Sequence, residues 1–332
     1  MQVSTSPTDS LGNMDAIETA EKIGVGEISA EQAISAAIER LRLVEPQLNA
    51  IVCERFDEAL AQARALPPGK GPSLFSGVPC LIKDNTSLAG LPTRHGSRGT
   101  APADAVSDDE ITRCFRSTGL IPIAKTALPE FGLTATTERS HGAPTRNPWN
   151  TAYSSGASSG GSAARVAAGV VPVAHANHGG GSFRLPAACC GVVGLKPSRH
   201  RLPTQAVAEK LPINLLAEGL VSRSVRDTAA FYAGAERHFP APGLPAIGEV
   251  NAAGQQRLRI ALCTEHPAGG DCDPQVIAAV EHTARVCAEL GHQLVQIPSP
   301  VPPQMPEDFL LYWARMAASI HYMGRLAFGP GF

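Results

Sequence analysis

Apolar and polar residues alternate along this chain with two periods, and the periods assign the elements. After Ser29, which forms a capping-box pattern with Gln32, the positions Ile34, Ile38, Leu41 and Leu48 keep one apolar helical stripe. Pro46 marks a bend or an end of that helix. Residues 56–65 continue as a helix, and 77–82 read as a buried strand. A helix is predicted over 108–117 and a strand over 120–124. Residues 163–168 are predicted helical with Gly169 as the stop, and 170–174 as a strand. Further on, 224–232 reads as a helix with Asp227 in its first turn. A strand at 257–262 and a long helix over 274–290, closed by Gly291, complete the series. Pro-rich stretches at 239–248 and 298–306 read as exposed connections. Helices alternating with strands predict an α/β fold with helices on both faces of the sheet.

Composition narrows the function classes. The 28 Lys+Arg against 30 Asp+Glu leave a net charge of −2, which argues against a nucleic-acid footprint or a polybasic membrane binder. No run of about 18 residues is apolar enough to span a membrane. Residues 1–12 lack a basic segment followed by an apolar one, so no secretory signal is expected. The eight cysteines are irregularly spaced, without a C-x-x-C pair. Neither a zinc site nor a disulfide framework is indicated, and a reducing, cytoplasmic location is expected. Most of the cysteines sit in apolar stretches, where Cys acts as a small buried hydrophobe.

Charge is unevenly placed. From Asn147 to Leu195, 49 residues carry only Arg165 and Arg184. Within this window, Ser154 to Ser182 holds 6 Ser and 7 Gly in 29 residues. A flexible linker has such a composition, but linkers do not carry apolar runs such as AARVAAGVVPVA and LPAACCGVVGL. The window therefore reads as Gly/Ser turns threaded through a core.

Familiar motifs fit poorly. Gly156-Ala-Ser-Ser-Gly160 matches the G-x-S-x-G nucleophile elbow, but the preceding PWNTAYSS is a poor strand. Gly179 to Gly181 is not a dinucleotide fingerprint, and there is no P-loop. His175 and His178 could offer nitrogens to a metal, yet no carboxylate is near them in sequence. Two hydrogen-bonded histidines are the simpler reading.

Three pieces remain: Lys83 at the end of a buried strand, the cluster from Ser158 to Ser162, and Gly179-Gly180-Gly181-Ser182. Glycines without Cβ atoms let main-chain N–H groups converge on one point, as an oxyanion hole requires. A serine beside such donors still needs a base. A buried lysine can serve, because desolvation favours its neutral amine. Each piece also has a plain reading: Lys83 as a surface lysine, Ser182 as the cap of a turn.

The segment SGASSGGSAARVAAGVVPVAHANHGGGSFRLPAACCGVVGLKPS, residues 155–198, closely resembles the signature of the amidase signature family. Residues 77–85 (GVPCLIKDN), 125–132 (KTALPEFG), 144–150 (PTRNPWN), 221–227 (VSRSVRD) and 258–261 (LRIA) add to the likeness, which runs from near Ser29 to about Leu294. The resemblance implies a Ser–cis-Ser–Lys set. Ser182 is then the nucleophile, Ser158 a bridging serine after a cis peptide, Lys83 the base, and Gly179, Gly180 and Gly181 the oxyanion hole. It also implies amide hydrolysis through an acyl-enzyme, a small-molecule amide substrate, and no cofactor or metal. A homodimer is allowed; nucleic-acid and membrane partners are not expected. The implied fold is a mixed β-sheet core flanked by helices on both faces. It forms one domain over 1–332, with an N-terminal helical region of about 10–66 and a core of 67–297. Members of the family extend past this C-terminus, so the last portion is expected to be incomplete. Two positions depart from the pattern: His178 stands where the family usually has Asp, and Ala157 where it usually has Gly. Two alternatives stay open: a catalytically impaired, non-enzymatic amidase-like protein, and the amidase subunit of an amidotransferase.

Overall fold

The computed structural model describes all residues except 6–7, 70, 72, 101–102, 206–212, 251 and 329–331. Two compact units form, one from Met1–Asn251 with Phe328–Phe332 and one from Ala252–Ala327.

The first unit is built on a six-stranded mixed sheet. Its strands are β1 (Ile51–Glu54), β2 (Pro79–Lys83), β3 (Ile121–Thr126), β4 (Val173–His178), β5 (Val193–Gly194) and β6 (Ala217–Ser222), in the order β1-β3-β2-β4-β6-β5. β2 runs parallel to β3 and β4, while β1, β5 and β6 pair antiparallel with their neighbours. Every residue of β2, β3, β4 and β6 is buried, as expected of strands covered on both faces. Alternation along β2 shows the two faces. Leu81 joins a cluster with Ile34, Ile38 and Leu41 of α2 (Ala30–Leu48) and Val166 of α5 (Gly160–Ala167). Cys80 and Ile82 join another with Cys114 and Phe115 of α4 (Glu110–Ser117) and Phe231 of α7 (Val225–His238). The period of two along the strand thus sorts the core into a layer on each face. The remaining helices of this unit are α1 (Ala16–Gly24), α3 (Phe56–Arg64) and α6 (Arg184–Cys190).

The predicted caps are present. Ser29 and Gln32 form the full capping box of α2, which runs two residues past Pro46 and ends on Asn49 in the left-handed region. α7 starts from Ser224 as expected but extends to His238. Its Asp227 is buried and does more than favour a first turn: it accepts hydrogen bonds from the main-chain N–H groups of Ala16 and Ile17, at 2.9 and 3.0 Å. The start of α1 is therefore capped by a residue 211 positions away. β4 begins at Val173, not Val170, because Pro172 has no N–H to give to a ladder. Only Cys80, Cys114 and Cys190 of the eight free cysteines are buried, fewer than their apolar neighbours suggested.

The second unit pairs β7 (Arg259–Leu262) in parallel with β8 (Gln293–Gln296). They are joined by α8 (Pro274–Glu289), which opens with Asp273 capping Gln275. A last helix, α9, covers Met305–Phe328. No helix among the described residues is long and apolar enough to cross a membrane.

Candidate active site

Lys83 ends β2, on the face of the sheet that carries Leu81. Its side chain is fully buried. Nζ donates to Oγ of Ser158 and to Oδ1 of Asn177, both at 2.7 Å. Removal from water pushes the amine down to about 7, while the carboxylate of Glu218 pulls it upward. A base with this value is half neutral at ordinary pH, which suits proton transfer.

Ser158 follows a cis peptide bond from Ala157. Its neighbours hold the turn rather than act in it. Thr137 Oγ1 donates to the carbonyl of Gly156 at 2.7 Å. Ser159 Oγ donates to the carbonyl of Asn177 at 3.2 Å, and Ser162 Oγ to that of His175 at 2.7 Å, so the serine cluster is stitched to β4. Gly161 lies so close to the chain just after β3 that a Cβ would come within 2.5 Å of the Ala127 carbonyl oxygen. The glycines in this cluster thus serve close approach, and α5 starts at Gly160, three residues before its predicted start.

β4 leads from His175 to His178 and then into Gly179-Gly180-Gly181-Ser182. Gly181 adopts a φ of +131°, a conformation that favours glycine. Among the described residues, none of the main-chain N–H groups from Gly179 to Ser182 donates a hydrogen bond. Four free donors in succession are what an oxyanion site needs. Ser182, which carries the last of them, is buried. No hydrogen bond joins Ser158 to Ser182 among the described residues; the structure unites Lys83 with Ser158 directly and sets Ser182 on the following loop.

The two histidines of the HANH run have different surroundings. His175 is fully buried, with Nδ1 accepting from the main-chain N–H of Lys83 at 3.2 Å and Nε2 2.9 Å from Oε2 of Glu218. His178 is buried and stacked on Phe183, with ring centroids 5.7 Å apart. Its Nδ1 has no hydrogen-bond partner among the described residues. Burial, together with Arg184, Lys196 and Lys83, pushes it down to about 4, so it is a neutral ring. No group of His, Cys, Asp or Glu suited to a metal ion occurs among the described residues.

Asn177 and Glu218 were not singled out from the sequence. A lone carboxylate inside the apolar run LLAEGLVS is the signal that could have flagged Glu218, since such a group must find a buried partner.

A family model described as Amidase matches residues 32–327. The chain is 47% identical over 325 residues to the protein named "Putative amidase AmiC" of Mycobacterium leprae (strain TN), covering 98% of this chain and 68% of that one. It is 37% identical over 292 residues to the 6-aminohexanoate-cyclic-dimer hydrolase of Paenarthrobacter ureafaciens, covering 84% and 58%. Among solved structures, a bacterial aryl acylamidase of the amidase signature enzymes superposes with a TM-score of 0.83 at 28% identity, over 98% of this chain and 69% of that one. The 6-aminohexanoate cyclic dimer hydrolase complexed with substrate does so with a TM-score of 0.76 at 34% identity, over 86% and 61%.

Proposed function

The chain belongs to the amidase family, and from that premise we propose that it hydrolyses a carboxylic amide with Ser182 as nucleophile, Ser158 as bridge and Lys83 as base. The observation that carries the reading is the 2.7 Å contact between Nζ of a fully buried Lys83 and Oγ of Ser158.

With the amine neutral, this contact reverses its sense, and Ser158 donates its proton to Lys83. Ser158 in turn takes the proton of Ser182 as the latter's Oγ attacks the amide carbon. The negative charge that develops on the carbonyl oxygen is met by the free N–H groups of Gly179 to Ser182, each worth about 3 kcal/mol in such sites. The C–N bond then breaks, and the proton returns from Lys83 through Ser158 to the departing nitrogen. Water, activated by the same relay, cleaves the ester to release the acid and restore Ser182. The 2.7 Å bond from Lys83 to Asn177 Oδ1 supports this sequence, because it occupies one amine hydrogen and helps aim the lone pair at Ser158.

Two of the similar proteins are named as a 6-aminohexanoate-cyclic-dimer hydrolase and an aryl acylamidase, and the substrate class proposed here is a small amide, cyclic and aryl amides being the first to try. This chain spans about two thirds of the AmiC protein's length. A panel of such amides, combined with fluorophosphonate labelling, tests the reading. Hydrolysis and labelling should both be lost in Ser182→Ala with an unchanged circular dichroism spectrum. Hydrolysis that survives this substitution removes Ser182 from the role. A second reading, an amidase-like protein without turnover, draws on the absence of a hydrogen bond between Ser158 and Ser182 and on His178 Nδ1, which has no partner among the described residues. It predicts a folded wild type that neither labels nor hydrolyses.

A further inference from the structure

Two buried ionisable side chains, His175 and Glu218, take no part in the proton relay. They meet diagonally across the antiparallel pair β4–β6, in which His175 stands opposite Leu220 and Glu218 opposite Asn177. His175 is fully buried and Glu218 is 2% exposed. The edge of Phe115 packs on the imidazole at 5.3 Å, and Tyr232 packs near the carboxylate with a phenol that burial, Cys114 and Glu218 push upward. Burying such a pair costs more than an apolar pair of the same volume, so stability alone does not account for it.

We infer that Glu218 and His175 form a positioning pair for Lys83: the carboxylate fixes the imidazole, and the imidazole holds the main-chain N–H of the lysine. The inference rests on Lys83 being the base.

Two observations lead to this pair. The parallel ladder between β2 and β4 runs through Cys80–Val173 and Leu81–Ala174 and then stops. At Lys83 the imidazole replaces the missing main-chain acceptor, with Nδ1 3.2 Å from the Lys83 nitrogen. Since Nδ1 accepts, the ring proton lies on Nε2 and is donated to Glu218 Oε2 at 2.9 Å. The carboxylate thus selects the tautomer that can grip the lysine. The second observation is electrostatic. Among the described residues Glu218 Oε1 has no hydrogen-bond partner and Oε2 meets His175, and the carboxylate's charge acts on the amine against the effect of burial. The other titratable groups around the pair, Cys114 of α4 and Tyr232 of α7, are pushed away from ionisation and stay neutral.

Glu218→Gln keeps the shape and an acceptor for Nε2–H but removes the charge. The acid limb of kcat/KM should move to lower pH by roughly half a unit to one unit. The Nζ titration of Lys83, followed by NMR of protein carrying 15N-lysine, should move by the same amount without any turnover. His175→Leu should lower kcat roughly tenfold or more with little change in KM, and His175→Asn, which places an acceptor near the Nδ1 position, should restore most of it. A limb and a lysine titration unmoved in Glu218→Gln, or a kcat unmoved in His175→Leu, would overturn the inference. Hydrolysis indifferent to Ser182→Ala would instead fault the mechanism, and the NMR titration still reads the pair in that event.

Discussion

Asn85 and Asn177 exchange hydrogen bonds through their side-chain amides, Nδ2 of Asn177 to Oδ1 of Asn85 at 3.0 Å and the reverse at 3.2 Å. The oxygen of Asn177 faces Lys83 and accepts from both Nζ and Asn85 Nδ2. A lysine held this way has one hydrogen occupied and cannot turn its lone pair away from Ser158 freely.

Asn177→Leu removes that acceptor without adding charge. The expected outcome is a fall in kcat of roughly 10- to 100-fold at nearly constant KM, since an unaligned base is present but badly aimed. Steady-state kinetics beside a thermal melt will check it. An equal rise in KM with kcat preserved would place Asn177 in substrate binding instead.

The pH dependence has a definite sign. Below about pH 7 Lys83 is an ammonium and cannot accept from Ser158; above it the amine is free. The kcat/KM profile should therefore rise through a midpoint near 7, far below the ordinary lysine range. His178, neutral above about 4, adds no limb in the working range. A profile rising only above pH 9 would contradict the buried neutral base.

Next to Lys83, Asp84 and Lys125 form a buried ion pair at 2.8 Å with both side chains out of water. Lys125 also donates to the Pro92 carbonyl and to Thr93 Oγ1, at 2.7 and 2.9 Å, and so fastens the chain that follows β2. Lys125→Met should leave Asp84 unpaired and lower stability by about 3–5 kcal/mol, measured by urea unfolding. A loss under about 1 kcal/mol would mean that Asp84 finds another way to be satisfied.

What could be read from the chain follows physical range. The capping box of α2 and the apolar strand β2 depend on neighbours in sequence, and both were legible. The position of Lys83 at the end of that strand was legible too, whereas its burial went against the plain reading of a surface lysine. The start of β4 was misplaced because Val170 and Val171 look like strand, whereas Pro172 decides where the ladder can begin. Apart from Ser158, the partners of Lys83 could not be read from local pattern. Asn177 lies 94 residues away from it, and Glu218 meets His175 across 43 residues. Such pairings are set by strand order and register, which no local pattern encodes. The likeness to the amidase signature family supplied Ser158 and Ser182, not the residues that orient them.

The cap that Asp227 places on α1 has a consequence in time. At about 5–20 residues per second, the 211 residues between them take roughly 10 to 40 s to synthesise. During that interval the first helix has been made but lacks two of its acceptors. The early helix becomes complete only when a late one docks on it, so the beginning of the chain is among the last parts of the unit to be secured.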